Sequence, residues 1–229
     1  MNIEDCWYKS NCNQESCTQS CIRFNCMQSL YKKSLIPESM WNTGIKVLDC
    51  KETDSSAFHY LNDINMFDFV SNGENLYICS DICGNGKTSW SIKLMHRYFN
   101  LIWHKSGFNC HGLFINVPKF LYTCKRAISQ KVEGFDELCE NIAKCDLVIW
   151  DDLPCAEFTG YEHQIILQYI DDRINAGKSN IYTGNCDKEE CKKLLGERLT
   201  SRVFGCGTVI KFFEEDKRGL NNGRITNTK

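Results

Sequence analysis

The chain has 229 residues, with 27 Lys and Arg against 29 Asp and Glu and a formal net charge of −2. That balance excludes a polycationic protein that holds nucleic acid by charge excess alone, so any such contact must come from a local patch. No apolar run reaches the roughly 18 residues of a membrane span, and Met1-Asn2-Ile3-Glu4-Asp5-Cys6 has neither a basic nor an apolar signal region, so a cytoplasmic protein is expected. The 16 Cys do not make a disulfide scaffold, because the chain carries long α/β patterns and residues such as Cys79, Cys145 and Cys206 sit in or beside apolar segments, where a thiol packs as a small hydrophobe.

The order of elements begins with a cysteine-dense stretch, residues 1–33, in which Cys6, Cys12, Cys17, Cys21 and Cys26 crowd together; it is expected to be a separate module with a short helix at Met27–Lys33. Residues 34–70, with Pro37, Trp41 and a possible helix at Ser55–Leu61, are expected to be a connector. From 71 to 213 strands and helices alternate: strand Asn75–Ser80, helix Lys87–Trp103, strand Gly112–Val117, a helical stretch Lys119–Lys144, strand Leu147–Trp150, helix Tyr161–Ala176, strand Asn180–Thr183, helix Asp187–Leu195 and strand Thr208–Phe212. Such alternation predicts a parallel sheet covered on both faces. The tail 214–229 is polar, without a periodic apolar face, and disorder is expected at its end.

Between the first strand and the helix after it lies Cys83-Gly84-Asn85-Gly86-Lys87-Thr88-Ser89. Glycines there let consecutive backbone N–H groups and a helix N-terminus face an anion, Lys87 adds a positive charge, and Thr88 is placed to ligate Mg²⁺. The usual first glycine, five positions before Gly86, is replaced by Asp81, a carboxylate near the expected path of the phosphates.

A second motif, Cys145-Asp146-Leu147-Val148-Ile149-Trp150-Asp151-Asp152, is an apolar strand ending in paired carboxylates. Asp151 is expected to hold Mg²⁺ and Asp152 to orient or deprotonate the attacking water, the short Asp in place of Glu predicting slow hydrolysis. At the end of the next strand, in Ile181-Tyr182-Thr183-Gly184-Asn185, the polar Asn185 is the candidate that reaches the γ-phosphate or the lytic water. In Gly196-Glu197-Arg198-Leu199-Thr200-Ser201-Arg202-Val203-Phe204, Arg198 and Arg202 stand at i and i+4 and share a face if the segment is helical. An arginine on such a face reaches a neighbouring subunit's triphosphate or is simply solvated.

This ordered series resembles the AAA+ P-loop ATPases of the DnaC/DnaI helicase-loader group, with relatives among IstB-type transposition ATPases and the initiator DnaA. The resemblance covers roughly residues 73 to 213. It implies an AAA+ core with a central parallel sheet and no C-terminal lid domain. It implies that Gly84, Asn85, Gly86, Lys87, Thr88, Ser89 and Asp151 bind ATP and Mg²⁺, that Asp151 and Asp152 form Walker B, that Asn185 is sensor 1, and that Arg202 is the arginine finger with Arg198 the second arginine of that box. Arg218 is the nearest match to a sensor 2 arginine.

Leu113–Leu121, followed by Lys125, Arg126 and Lys131, resembles the loaders' helical region that contacts single-stranded DNA, where aromatic rings and local cations hold bases and phosphates. By the same resemblance the partners are a ring-shaped replicative helicase, single-stranded DNA and further copies of the chain meeting at the ATP site. A bacteriophage or prophage origin is implied by the compact single core.

Cys6, Cys12, Cys17 and Cys21 supply four soft ligands in a segment too short for its own apolar core, and tetrahedral Zn²⁺ coordination would fold it. Cys26 makes the ligand set ambiguous, and reduced thiols or a redox disulfide remain alternatives to zinc. An IstB-like ATPase, and a nucleotide-binding interaction module that does not hydrolyse, are the competing functional readings.

Overall fold

The computed structural model describes residues 6–9, 12, 21–44, 52–154, 157–205 and 207–213; Cys17, and Arg218 in the polar tail, lie outside them. Five strands, β1 (Asn75–Cys79), β2 (Gly112–Asn116), β3 (Leu147–Asp151), β4 (Ser179–Gly184) and β5 (Gly207–Lys211), form one parallel sheet in the order β2-β3-β4-β1-β5.

Side chains alternate across the sheet with the period of two that a strand imposes. Leu76, Ile78, Phe114, Leu147, Ile149 and Ile181 face one apolar cluster, and Tyr77, Cys79, Leu113, Ile115, Val148, Trp150 and Tyr182 face the other. β1 to β4 are buried on both faces, as parallel strands covered by helices are, whereas the edge strand β5 is exposed or half-buried along its length.

The first cluster is covered by α1 (Ile22–Lys33), α2 (Ser55–Asp63), α3 (Met66–Ser71) and α4 (Lys87–Ile102). The second is covered by α5 (Val117–Ser129), α6 (Phe135–Lys144), α7 (Gly160–Asn175) and α8 (Lys188–Gly205). The helical stretch expected at Lys119–Lys144 is two helices: the first ends at Ser129, where Gln130 turns to extended backbone at φ −150, and the second starts after Gly134, which caps it at φ +73. Pro118 sits in the first turn of α5, where its missing N–H costs nothing, so that helix starts earlier than expected. Within α8, Gly196 at φ 74 and ψ 166 interrupts the helix just before the two arginines.

Helix α1 begins earlier than Met27. Cys21 caps it, its Sγ accepting from the Phe24 N–H at 3.4 Å, and Phe24, Cys26, Met27, Leu30 and Tyr31 are buried. Phe24, Met27, Leu30 and Tyr31 share a cluster with Trp90, Met95 and Phe99 of α4. Trp7 packs edge-on to Tyr31 at 4.8 Å and against Trp41 at 5.1 Å, and the Tyr31 hydroxyl lies 2.5 Å from His96 Nδ1. Burial, reinforced by the charges of Lys93 and Arg23, lowers His96 to about 4, so it stays neutral. Aromatic packing of this kind, at about 1.5–3 kcal/mol for each large buried side chain, holds the described N-terminal residues on the α/β core.

The expected zinc set has no counterpart among the described residues, which contain no group of three or more His, Cys, Asp or Glu able to hold a metal ion. Cys6, Cys12 and Cys21 are half-buried thiols against the edge of the aromatic cluster. The expected zinc set is thus without support among the described residues, and Cys17 lies outside them. Among the described residues no helix is long and apolar enough to cross a membrane.

Candidate functional site

Strand order sets the position of the site. β1 lies between β4 and β5, and β3 lies beyond β4, so the residues that follow β1, β3 and β4 converge at the carboxyl edge of the sheet, where open α/β folds bind ligands.

The glycine loop leaves β1 at Ser80, whose Oγ accepts from the Ile82 N–H at 3.1 Å and from Asn85 Nδ2 at 2.5 Å. Asn85, 1% exposed, therefore fixes the loop from inside. Gly86 caps α4 at φ +101, a conformation only glycine holds without strain, so the first N–H groups of α4 open toward the loop. The Lys87 ammonium folds back onto the Ile82 carbonyl at 2.9 Å and Asn85 Oδ1 at 3.4 Å. Asp81 does not turn into the loop: it pairs with Lys211 of β5 at 2.8 Å, which neutralises the carboxylate that replaces the usual glycine.

Thr88 Oγ1 donates to Asp151 Oδ1 at 2.8 Å, and Thr183 Oγ1 donates to the same oxygen at 2.8 Å. Burial raises the Asp151 carboxyl above its ordinary value, the hydrogen bonds from Thr183 and Thr88 oppose that shift, and the Asp152 charge adds to it. A hydroxyl and a buried carboxylate side by side are the hard oxygen ligands Mg²⁺ selects, and a divalent cation there would restore the charged carboxylate, so these residues fit the metal.

Asp152 is exposed and holds φ +61, its N–H bound to Thr183 Oγ1 at 3.1 Å and its Oδ2 accepting from Asn116 Nδ2 at 3.4 Å. A non-glycine residue in the left-handed region, pinned from two strands, aims its carboxylate outward over the loop.

A cavity of about 530 Å³ is lined by Cys83, Gly84, Gly86, Lys87, Thr88, Ser89, Asp152 and Asn185, with Met40 and Pro154. The expected phosphate-loop residues, Asp152 and Asn185 thus meet in one place, with Asp151 behind Thr88. Asn185 is exposed, its Nδ2 3.6 Å from Cys83 Sγ.

Thr183, Asn116 and Met40 were not singled out by sequence. Thr183 had a signal, a hydroxyl two residues before Asn185 on the strand that follows the Asp151-Asp152 strand. Met40 had none, because it arrives from the distant 3-10 turn Glu38–Gly44.

Arg198 and Arg202 share a face, as their spacing predicts, but they do not line this cavity. Both pair with Asp171 of α7, Arg198 Nη2 at 3.2 Å from Oδ2 and Arg202 Nε against Oδ1. On α5, Tyr122 is 64% exposed with the Arg126 guanidinium 6.0 Å from its ring centroid, while Lys125 is paired with Glu162 at 2.9 Å.

No protein-family model matches the chain. The replicative helicase loader DnaC of Escherichia coli (strain K12) is 28% identical over 91 residues, which cover 40% of this chain and 37% of that one; the matched region thus spans well under half of the curated relative. Among solved structures, the DnaC helicase loader superposes with a TM-score of 0.62 at 15% identity, covering 77% of this chain and 100% of that one. DnaI gives 0.60 at 16% identity over 78% and 95%, and AMPPCP-bound DnaA from Aquifex aeolicus gives 0.57 at 16% identity over 77% and 50%. In its ordered motifs and in its five-stranded parallel core, the chain is similar to the DnaC/DnaI-type AAA+ helicase loaders.

Proposed function

We propose that the chain is an ATP-hydrolysing helicase loader that binds Mg-ATP at the carboxyl edge of its sheet, associates with further copies there, and places a replicative ring helicase on single-stranded DNA. The observation that carries this reading is the contact between Thr88 and Asp151 at 2.8 Å, because it joins the phosphate loop to the acidic strand end in one metal-fitting pair.

In this reading the backbone N–H groups from Gly84 to Ser89 and the Lys87 ammonium hold the phosphates. Thr88 and Asp151 hold Mg²⁺, which when bound neutralises charge on the phosphates. Asp152 orients or deprotonates the attacking water and Asn185 holds the other side of it. A carboxylate one methylene shorter than Glu gives slow turnover. Arg202, with Arg198 beside it, acts on a neighbouring copy's nucleotide, since neither lines the cavity of its own chain. The Tyr122 and Arg126 face of α5 takes single-stranded DNA by stacking and charge. The reading requires no zinc.

Steady-state ATP turnover tests it, measured alone and with single-stranded DNA and a ring helicase. The partners are expected to raise turnover, and Arg202→Ala to remove the stimulated component by on the order of 10³-fold. Tight nucleotide binding without turnover under every condition would leave a nucleotide-dependent interaction module instead.

A further inference from the structure

We infer that Asp171 is an internal competitor for the nucleotide that Arg198 and Arg202 reach in a neighbouring copy, a latch that must open before copies of this chain close on one another. The inference rests on the trans-acting arginine reading above.

One carboxylate takes both arginines, each of its oxygens accepting from one guanidinium. The Asp171 side chain is only 15% exposed, whereas those of Arg198 and Arg202 are 71% and 39% exposed, so the carboxylate is fixed in the α7 surface and the guanidinium ends are the parts free to swing. The backbones on both sides are held. A capping box between Thr159 and Glu162 fixes the start of α7, and Leu199 and Val203 anchor the second half of α8 in the core while Phe204 packs 4.7 Å from Tyr77.

An arginine bound to Asp171 presents fewer donors to a phosphate on another subunit, and subunit closure exchanges one anion for another at the same guanidinium. Part of the attraction between subunits is thus offset within each chain. Exposed Arg–carboxylate contacts are individually weak, so the exchange is reversible and its effect is modest.

Sedimentation velocity in Mg²⁺ and a slowly hydrolysed ATP analogue reads this without turnover. Asp171→Asn keeps the shape and removes the charge, and is expected to lower the protein concentration for half-association by about three- to tenfold. Asp171→Ala is expected to do the same, with unfolding midpoints of both variants verifying the fold. The gain should vanish in the Asp171→Asn, Arg202→Ala double variant.

Equal or weaker association of both Asp171 variants, while Arg202→Ala weakens that of the wild type, overturns the latch alone and makes Asp171 a residue that presents the arginines. Association of Arg202→Ala identical to the wild type sinks the arginine reading itself. Absence of nucleotide-dependent association in wild type and variants alike also overturns the latch, because no neighbouring phosphate then competes.

Discussion

Lys87→Ala is expected to weaken ATP binding by roughly 30- to 150-fold, the loss of about 2–3 kcal/mol that follows removal of a charged donor facing phosphate oxygens. The cause is local. The lysine is 7% exposed and its ammonium rests on the loop's own Ile82 carbonyl at 2.9 Å, so the positive charge is held inside the loop and facing the position that phosphate would take. Asn85 and Ser80 fix the loop independently of it, and the variant is expected to keep its fold. Titration with a fluorescent ATP analogue checks both points when run beside a melting curve. An unchanged Kd would place the phosphates elsewhere.

The largest effect on stability is expected at Arg173, which is 1% exposed. Its guanidinium donates to the Ile142 carbonyl at 2.6 Å, the Cys145 carbonyl at 3.0 Å, the Ser179 carbonyl at 2.6 Å and Asn180 Oδ1 at 2.7 Å. One side chain of α7 thus joins the end of α6, the entry to β3 and the start of β4. Burial lowers its pKa from the ordinary arginine value, with the Cys145 thiol the first influence opposing that shift.

Arg173→Met keeps only the unbranched stem and leaves those acceptors buried without donors, and about 3–5 kcal/mol of stability should be lost. Against the roughly 5–15 kcal/mol of an ordinary domain, that brings the protein near its unfolding threshold. Denaturant unfolding measures it, and a loss below about 1 kcal/mol would mean that water or a rearranged neighbour takes over those carbonyls.

Much of this architecture is legible in the chain because its rules are local. Each strand is a short apolar run with a turn signal after it, and alternation with helices implies parallel pairing. The phosphate loop and the Asp151-Asp152 strand end are legible for the same reason: their chemistry needs fixed residue types at fixed spacing between a strand and a helix.

What was not legible depends on partners far away in sequence. Nothing near Asp81 announces that Lys211 will neutralise it, and nothing near Arg198 announces Asp171. The break at Gly134 was readable in principle, yet the amphipathic pattern on both sides hid it. The cysteine-rich start invited a metal because residues 1–33 lack a core of their own. The described part of that segment uses the core of the α/β fold, through Trp7, Tyr8 and Tyr31, which pack with Trp41. Asn185 was favoured over Thr183 for its place in the motif series, at the end of the strand after the paired carboxylates, while the buried Thr183 hydroxyl is the one that touches Asp151.

The central claim, that ATP bound at this sheet edge is used to load a ring helicase, is tested most directly by helicase loading on closed circular single-stranded DNA. The replicative helicase of the encoding host would be captured on that DNA with wild-type chain, with Lys87→Ala, and with no added chain, each with ATP and Mg²⁺. The account predicts capture with the wild-type chain and only background capture with Lys87→Ala or without the chain. Equal capture in all three would contradict it.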